Sequence, residues 1–102
     1  MSKIAMIITS TAQPGKRDDL FTLYRDHLAP RAEANPGQEV VVWCADQQDE
    51  DVFHLFEIYA DGETLGTNAQ SDFFAEYMAA AMPLLAGEPT VAMAEPRWST
   101  GV

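Results

Sequence analysis

Three stretches of this chain carry hydrophobic side chains at odd and even positions alike, and this pattern limits the folds open to it. They are residues 3–11 (KIAMIITST), 38–45 (QEVVVWCA) and 52–60 (VFHLFEIYA). Runs of this length, rich in β-branched and aromatic residues, predict buried strands. A sheet with one face in water would alternate apolar and polar residues, so both faces here must be covered. Helices can cover one face, and a second copy of the sheet is the simplest cover for the other.

Two helices are predicted by apolar residues that recur at three- and four-residue steps. The first follows a turn at 11–15, and one of its faces is formed by Leu20, Leu23, Tyr24, His27, Leu28 and Arg31. Pro30 should kink this helix or end its regular part, and the Asn-Pro-Gly segment at 35–37 stops it. The second helix opens at Ser71 or Asp72 and buries Phe74, Tyr77, Met78, Ala81 and Leu85.

The predicted order of elements is β-α-β-β-α-β. The acidic loop 46–51 joins the second and third strands, which most simply pair antiparallel. Asp61 can cap a short helix over 62–69, and the final strand spans 89–98. This is the ferredoxin-like α+β plan, a four-stranded antiparallel sheet with helices on one face. We expect residues 1–102 to form a single domain.

Charge and cysteine content exclude several classes of function. The net charge of −10, from 16 acidic against 6 basic residues, opposes binding to nucleic acid and to anionic membranes. A single cysteine, Cys44, excludes an internal disulfide, and its apolar surroundings predict a buried, inert thiol. No segment resembles a signal peptide or is long enough to span a bilayer, so we expect a cytoplasmic protein. No motif for a metal or a phosphate group is present, and none is expected to bind.

The chain resembles the antibiotic biosynthesis monooxygenase family along nearly its whole length. The resemblance rests on Glu57, Tyr59, Asp61, Leu65, Asn68, Ser71 and Phe74, on the turn Pro14-Gly15-Lys16, and on Glu33 followed by Pro36-Gly37. It implies a homodimeric α+β barrel with a pocket between helices and sheet in each subunit. It also implies, as in some members, oxygenation of quinols or polycyclic phenols without any cofactor. Family members often carry histidine where this chain has Asn68 and Phe73.

Asn68, Tyr59 and His54 are the candidate catalytic residues. Cofactor-free oxygenation requires a deprotonated, electron-rich aromatic substrate held away from water. Histidine is the usual base near neutral pH, and the amide of Asn68 can both donate to and accept from a phenol or quinone oxygen. A core or interface role for His54, a helix-end cap for Asn68 and a structural hydrogen bond for a buried Glu57 are the alternatives.

A larger set of mostly aromatic residues is the candidate wall of the substrate pocket. Thr9 stands where haem-degrading relatives carry asparagine, and His27 lies on the apolar side of the first helix, where packing is the alternative. The full set is Thr9, Tyr24, His27, Trp43, Phe73, Phe74, Tyr77, Met78 and Trp98. A small aromatic molecule is the expected ligand, and a second copy of the chain the expected partner. The alternative function is a catalytically silent binding or accessory module that keeps the barrel and its pocket.

Overall fold

The computed structural model describes residues 2–101, which form one antiparallel sheet with helices on one face. The four strands are β1 (Ile4–Thr11), β2 (Gln38–Ala45), β3 (Val52–Tyr59) and β4 (Thr90–Ala94). Their order in the sheet is β2-β3-β1-β4, and each neighbouring pair runs antiparallel. This topology confirms the predicted ferredoxin-like α+β fold.

The helices are more divided than the sequence predicts. The expected first helix forms two pieces, α1 (Arg17–His27) and α2 (Ala29–Ala34), with the break at Leu28, just before Pro30. The predicted short helix is α3 (Gly62–Ala69). The last helix, α4 (Asp72–Ala81), ends earlier than predicted and continues as one 3-10 turn over Met82–Leu84. A proline near each break accounts for it, because proline lacks the N–H that a continuing helix requires.

The core lies between the helices and one face of the sheet. Phe53 and Leu55 of β3 point towards Leu20, which is fully buried on α1, and Tyr77 on α4. Further core residues are Ala12, Tyr24, Leu28 and Ala81. Because side chains alternate along a strand, the odd-numbered residues of β3 face the helices and the even-numbered ones face away.

The sheet face away from the helices, called the open face below, is built from three rows across the strands. The pairing register gives one polar row, Cys44–His54–Thr9–Thr90, and two apolar rows, Val42–Phe56–Ile7–Ala92 and Val40–Ile58–Ala5–Ala94. Val42, Ile7 and Phe56 are 45%, 41% and 36% exposed. Cys44 is exposed as well, so the predicted burial of its thiol is wrong for the single chain.

The last strand is shorter than predicted and lies at an edge. Pairing ends at Ala94, and all five residues of β4 are exposed. The following segment leaves Trp98 81% exposed. Within residues 2–101 no helix has the length and apolar character needed to cross a membrane.

Candidate functional site

A cavity of about 260 Å³ lies between α3, α4 and the helix-facing side of the sheet. Its walls are almost entirely apolar and aromatic, with Leu55, Phe73, Phe74, Tyr77 and Met78 among them. Gln38, Glu57, Tyr59 and Asn68 bring polar groups to the cavity, as do the hydroxyls of Tyr24 and Tyr77. Among residues 2–101, no lysine, arginine or histidine lines this cavity, so a negative charge in it has no cationic partner from that part of the chain.

The polar residues form one hydrogen-bonded chain. Asn68 Nδ2 donates to the Tyr59 hydroxyl at 3.1 Å, and that hydroxyl donates to Glu57 Oε1 at 2.7 Å. Gln38 Nε2 donates to the same carboxylate oxygen at 2.9 Å. Glu57 and Tyr59 are buried, at 6% and 1% exposure. Four side chains from β2, β3 and α3 are thus held in one arrangement around a buried carboxylate.

The second carboxylate oxygen of Glu57 remains available. Both donors go to Oε1, and no protein group in residues 2–101 donates to Oε2. In the same part of the chain, the one side-chain polar atom that is both fully buried and without a hydrogen-bond partner is Trp43 Nε1. Oε2 of Glu57 also has no such partner, so it must still be accessible. Since Glu57 lines the cavity, Oε2 is presented to whatever occupies it. An unpaired carboxylate oxygen in this position can accept a proton from a ligand.

The position of Asn68 is fixed by the junction of α3 and α4. Asp61 caps α3 by accepting from the Thr64 N–H at 2.8 Å, and Ser71 caps α4 by accepting from the Phe74 N–H at 3.4 Å. Ser71 Oγ also donates to the Asn68 carbonyl at 2.6 Å. A hydroxyl that serves both helices therefore holds the backbone of Asn68 next to the cavity.

Burial sets the acid–base character of the site. Desolvation raises the pKa of Glu57, although the hydrogen bonds from Tyr59 and Gln38 pull it the other way. Burial, reinforced by the negative charge of Glu57, also raises the pKa of Tyr24 and Tyr59, and raises that of Tyr77 to about 12. Burial thus moves the pKa of the carboxyl group upward from its ordinary acidic range, and it keeps the phenols protonated at neutral pH.

Two of these tyrosines bring free hydroxyls to the cavity. The Tyr24 and Tyr77 rings meet edge to face, with centroids 6.0 Å apart. Within residues 2–101, neither hydroxyl bonds to another protein group, and both residues line the cavity. Each hydroxyl can donate to an oxygen of a bound molecule.

Comparison with known proteins identifies the family. The family model described as antibiotic biosynthesis monooxygenase matches residues 3–80. The chain belongs to the antibiotic biosynthesis monooxygenase family. No curated protein matches it.

Solved structures place the chain in the same fold. A Caulobacter crescentus CB15 protein named a "putative antibiotic biosynthesis monooxygenase" is 28% identical, with a TM-score of 0.88 over 95% of this chain and 92% of that one. A protein of the same name from Chloroflexus aurantiacus J-10-fl is 22% identical, with a TM-score of 0.84 over 98% of both chains. Rv0793 from Mycobacterium tuberculosis is 23% identical, with a TM-score of 0.84 over 98% of this chain and all of that one. At the 22% and 23% identity of the last two proteins, the similarity shows a shared fold alone.

Seven of the residues expected at the site of this family member do line the cavity. Tyr59 and Asn68, two of the three candidate catalytic residues, lie in its hydrogen-bonded chain. The other five are Tyr24, Phe73, Phe74, Tyr77 and Met78. They converge because β3, α1, α3 and α4 present one side each to the same space.

The remaining five expected residues lie elsewhere. His54 and Thr9 are on the open face, and His27 is exposed on α1, with its ring bonded to the Leu23 carbonyl. Trp43 stacks on Phe53 at 4.7 Å beneath α1 and α2, and Trp98 follows β4 as an exposed side chain. For His54 and Thr9 the reason is strand alternation, which directs them opposite to Tyr59. The candidate site accordingly excludes these five.

Glu57 and Gln38 are part of the site although they were not among the candidate residues. A carboxylate within the apolar run of β3 is the signal for Glu57, and its spacing of two residues from Tyr59 places both on one face. Nothing in the sequence marks Gln38, because its role comes from pairing with β3 opposite Tyr59.

Proposed function

We propose that this protein is a cofactor-free monooxygenase that acts on a compact, uncharged quinol or polycyclic phenol. The observation that carries the proposal is the buried Glu57 carboxylate, held through Oε1 and open to an apolar cavity through Oε2. A desolvated carboxylate with a raised pKa suits a general base near neutral pH. Membership of the family supports oxygenation as the chemistry.

The size and polarity of the cavity support the substrate class. At about 260 Å³ it lies just below the usual size of ligand sites, which run from about 300 to 1,000 Å³. Aromatic walls favour a flat ring system of two or three rings. An anionic substituent would meet Glu57 with no cation among the lining residues, so a neutral molecule fits better.

The proposed reaction consumes one quinol and one dioxygen and gives one hydroxyquinone and one water. Glu57 Oε2 takes a phenolic proton, and the free N–H of the Asn68 amide and the Tyr24 or Tyr77 hydroxyl stabilise the resulting phenolate. The electron-rich ring then reduces dioxygen, and a C–O bond forms at a ring carbon. Proton return from Glu57 assists cleavage of the O–O bond, with the distal oxygen leaving as water. The substrate supplies all four electrons, so the balance needs no other reductant.

Oxygen consumption tests this proposal. Purified protein with 1,4-naphthoquinol should take up dioxygen faster than the autoxidation rate, with no flavin or metal added. Glu57→Gln should lower kcat/KM by about 10²–10⁴-fold, the usual contribution of a general base. Glu76→Gln, on the exposed side of α4, is the matched control and should keep the wild-type rate. If quinols and polycyclic phenols bind but are not consumed, the protein is a silent binding module instead.

We propose further that the protein is a homodimer joined through the open face. With strands about 4.8 Å apart and about 3.3 Å per residue, that face measures roughly 500 Å² in plan before side-chain relief is counted. A standard interface removes about 800 Å² from each partner, so the face provides most of what is needed. Its middle apolar row leaves Val42, Ile7 and Phe56 in water in the single chain, whereas Ile58 and Ala5 of the other apolar row are already buried.

A further inference from the structure

The open face carries a second hydrogen-bonded chain that the proposed oxygenation does not use. His54 Nε2 lies 2.8 Å from Asp46 Oδ1, and His54 Nδ1 lies 3.0 Å from Thr9 Oγ1. The chain occupies the polar row, beside the apolar rows that include Val42 and Phe56. The side chains of His54 and Asp46 are 38% and 29% exposed, so water still reaches both in the single chain.

This chain satisfies His54 in either protonation state. In neutral His54, Nε2–H donates to Asp46, and Nδ1 accepts from the Thr9 hydroxyl. After proton uptake both ring nitrogens donate, and Thr9 becomes an acceptor by rotating its hydroxyl. No hydrogen bond is lost in the change. The difference between the states is the charge of the pair, −1 with neutral His54 and zero with protonated His54.

Within residues 2–101, no cationic side chain other than His54 pairs with the Asp46 carboxylate. Asp46 Oδ2 accepts the Gln48 and Asp49 N–H groups, and a hydrogen bond from His54 helps to hold the pKa of Asp46 at about 2, so it is ionised at neutral pH. The Arg17 guanidinium, from α1, binds backbone carbonyls of the loop and makes no ion pair with Asp46 in residues 2–101. Within residues 2–101, the other titratable groups of the adjacent strand and the loop are the Cys44 thiol and the carboxylates of Asp49, Glu50 and Asp51.

Docking a second copy would remove water from this pair. A net charge of −1 transferred into an apolar contact is far more costly than a hydrogen-bonded ion pair with zero net charge. The ion pair at the other end of the strands, Lys3–Glu39 at 2.6 Å, is already neutral as a whole. We propose that two copies of this chain dock open face to open face with uptake of one proton by His54 in each copy. This inference rests on the homodimer proposed above.

Proton uptake makes the affinity of the two copies depend on pH in a defined direction. Histidine is the side chain that ordinarily titrates between pH 5 and 8. With one proton taken up per copy, the association constant can rise by up to about a hundredfold for each unit of falling pH. We expect the dimer to be at least about tenfold tighter at pH 6 than at pH 8.

The experiment compares the dissociation constant of the dimer at pH 6, 7 and 8 in wild type and two variants. Sedimentation measures the dissociation constant when the dimer dissociates on dilution. Urea unfolding at several protein concentrations covers tighter ones, because unfolding and dissociation are then linked. His54→Gln should give a weaker dimer at pH 6 whose affinity does not change with pH. His27→Gln is the matched control, since His27 is exposed on α1 and should leave the wild-type pH dependence intact.

The outcomes separate this inference from the proposals on which it rests. A monomer at every pH, in wild type at micromolar concentration, overturns the homodimer and the inference together. A dimer with a pH-independent affinity, one that weakens at pH 6, or a pH dependence that survives His54→Gln overturns the inference alone. Oxygen consumption is measured separately, so failure of the oxygenase proposal would not affect the interpretation of the dimer affinities.

Discussion

At the scale of single residues, Glu57 is where stability and chemistry oppose each other. Burial raises its pKa above the ordinary value of 4.5, so the unfolded chain loses this proton at lower pH than the folded chain. As pH rises from below 4.5 through the raised value, the contribution of Glu57 to the free energy of unfolding must therefore fall. The ionised carboxylate that can serve as a base therefore destabilises the folded protein at neutral pH.

Replacement of Glu57 by glutamine should remove this cost. Glu57→Gln keeps an acceptor for Tyr59 and Gln38 but cannot ionise. We expect the free energy of unfolding of the variant, minus that of wild type, to be larger at pH 7 than at pH 4, as measured by urea unfolding at both pH values. An equal difference in free energy of unfolding at the two pH values would contradict the raised pKa.

Tyr59→Phe tests the centre of the same hydrogen-bonded chain. The substitution leaves Asn68 Nδ2 without its acceptor and removes one of the two donors to Glu57. We expect a loss of about 1–3 kcal/mol in the free energy of unfolding, the usual cost of orphaned buried polar groups. Loss of a donor to the carboxylate should also raise the pKa of Glu57. The increase of kcat/KM with pH should therefore occur at higher pH than in wild type. If the pH profile of kcat/KM is unchanged from wild type, the Tyr59 hydroxyl does not influence the pKa of Glu57.

The sequence predicts much of this site, but five of its candidates lie outside the cavity, and for His54 the physical reason is clear. Tyr59 and Asn68 are found by resemblance and chemistry, and aromatic spacing locates the α4 wall. His54 is misplaced because β3 is apolar on both faces, so its pattern does not reveal which face meets the helices. Once Tyr59 is placed in the cavity, strand alternation by itself directs His54 to the opposite side.

At the scale of elements, the close approach of β2 and α3 positions the site. A Cβ atom on Gly37 would lie 2.5 Å from Thr64 Cγ2, so only glycine fits at the start of β2. The Gly37 carbonyl also accepts from the Ala60 N–H at 2.7 Å, which ties β2 to the end of β3. The sequence marks this glycine as a helix stop, and its contact with α3 follows from the tertiary structure alone.

Gly37→Ala should therefore displace α3 and, with it, Asn68. We expect the substitution to cost about 1–3 kcal/mol, as overpacking does, and to weaken binding of quinols to the cavity. Thr64→Ala removes the atoms that clash and should restore part of both losses in the double variant. Urea unfolding and ligand titration of the four proteins measure the coupling. Strictly additive effects would show that this contact does not position α3.

At the scale of the whole molecule, the two sides of the sheet have different tasks. The helix side encloses the cavity, and the open face presents Val42, Ile7 and Phe56 to water. The sequence predicts that the second face needs a cover, since both sets of alternating residues are apolar. It cannot predict the rows across the strands, because these depend on the pairing register, including the bulge between Gln38 and Val40.

Val42→Glu should convert the proposed dimer into a folded monomer. The new carboxylate would lie in the middle apolar row, where docking of a second copy would bury it without a cation. Met82→Glu is the control, because Met82 is 63% exposed in the turn after α4, away from the open face. Sedimentation should show a monomer for the first variant and a dimer for the second. A dimer in both would place the interface elsewhere.

The two tryptophans give the molecule a built-in optical readout. Trp43 is sandwiched against Phe53, whose ring lines the cavity, whereas Trp98 stands in solvent. The emission spectrum of the protein is consequently the sum of a blue-shifted and a red-shifted fluorophore. With Trp98 replaced by phenylalanine, a single indole remains within energy-transfer range of a bound quinone, whose absorption would quench it. Occupancy of the cavity can then be followed in real time, without a label and without turnover.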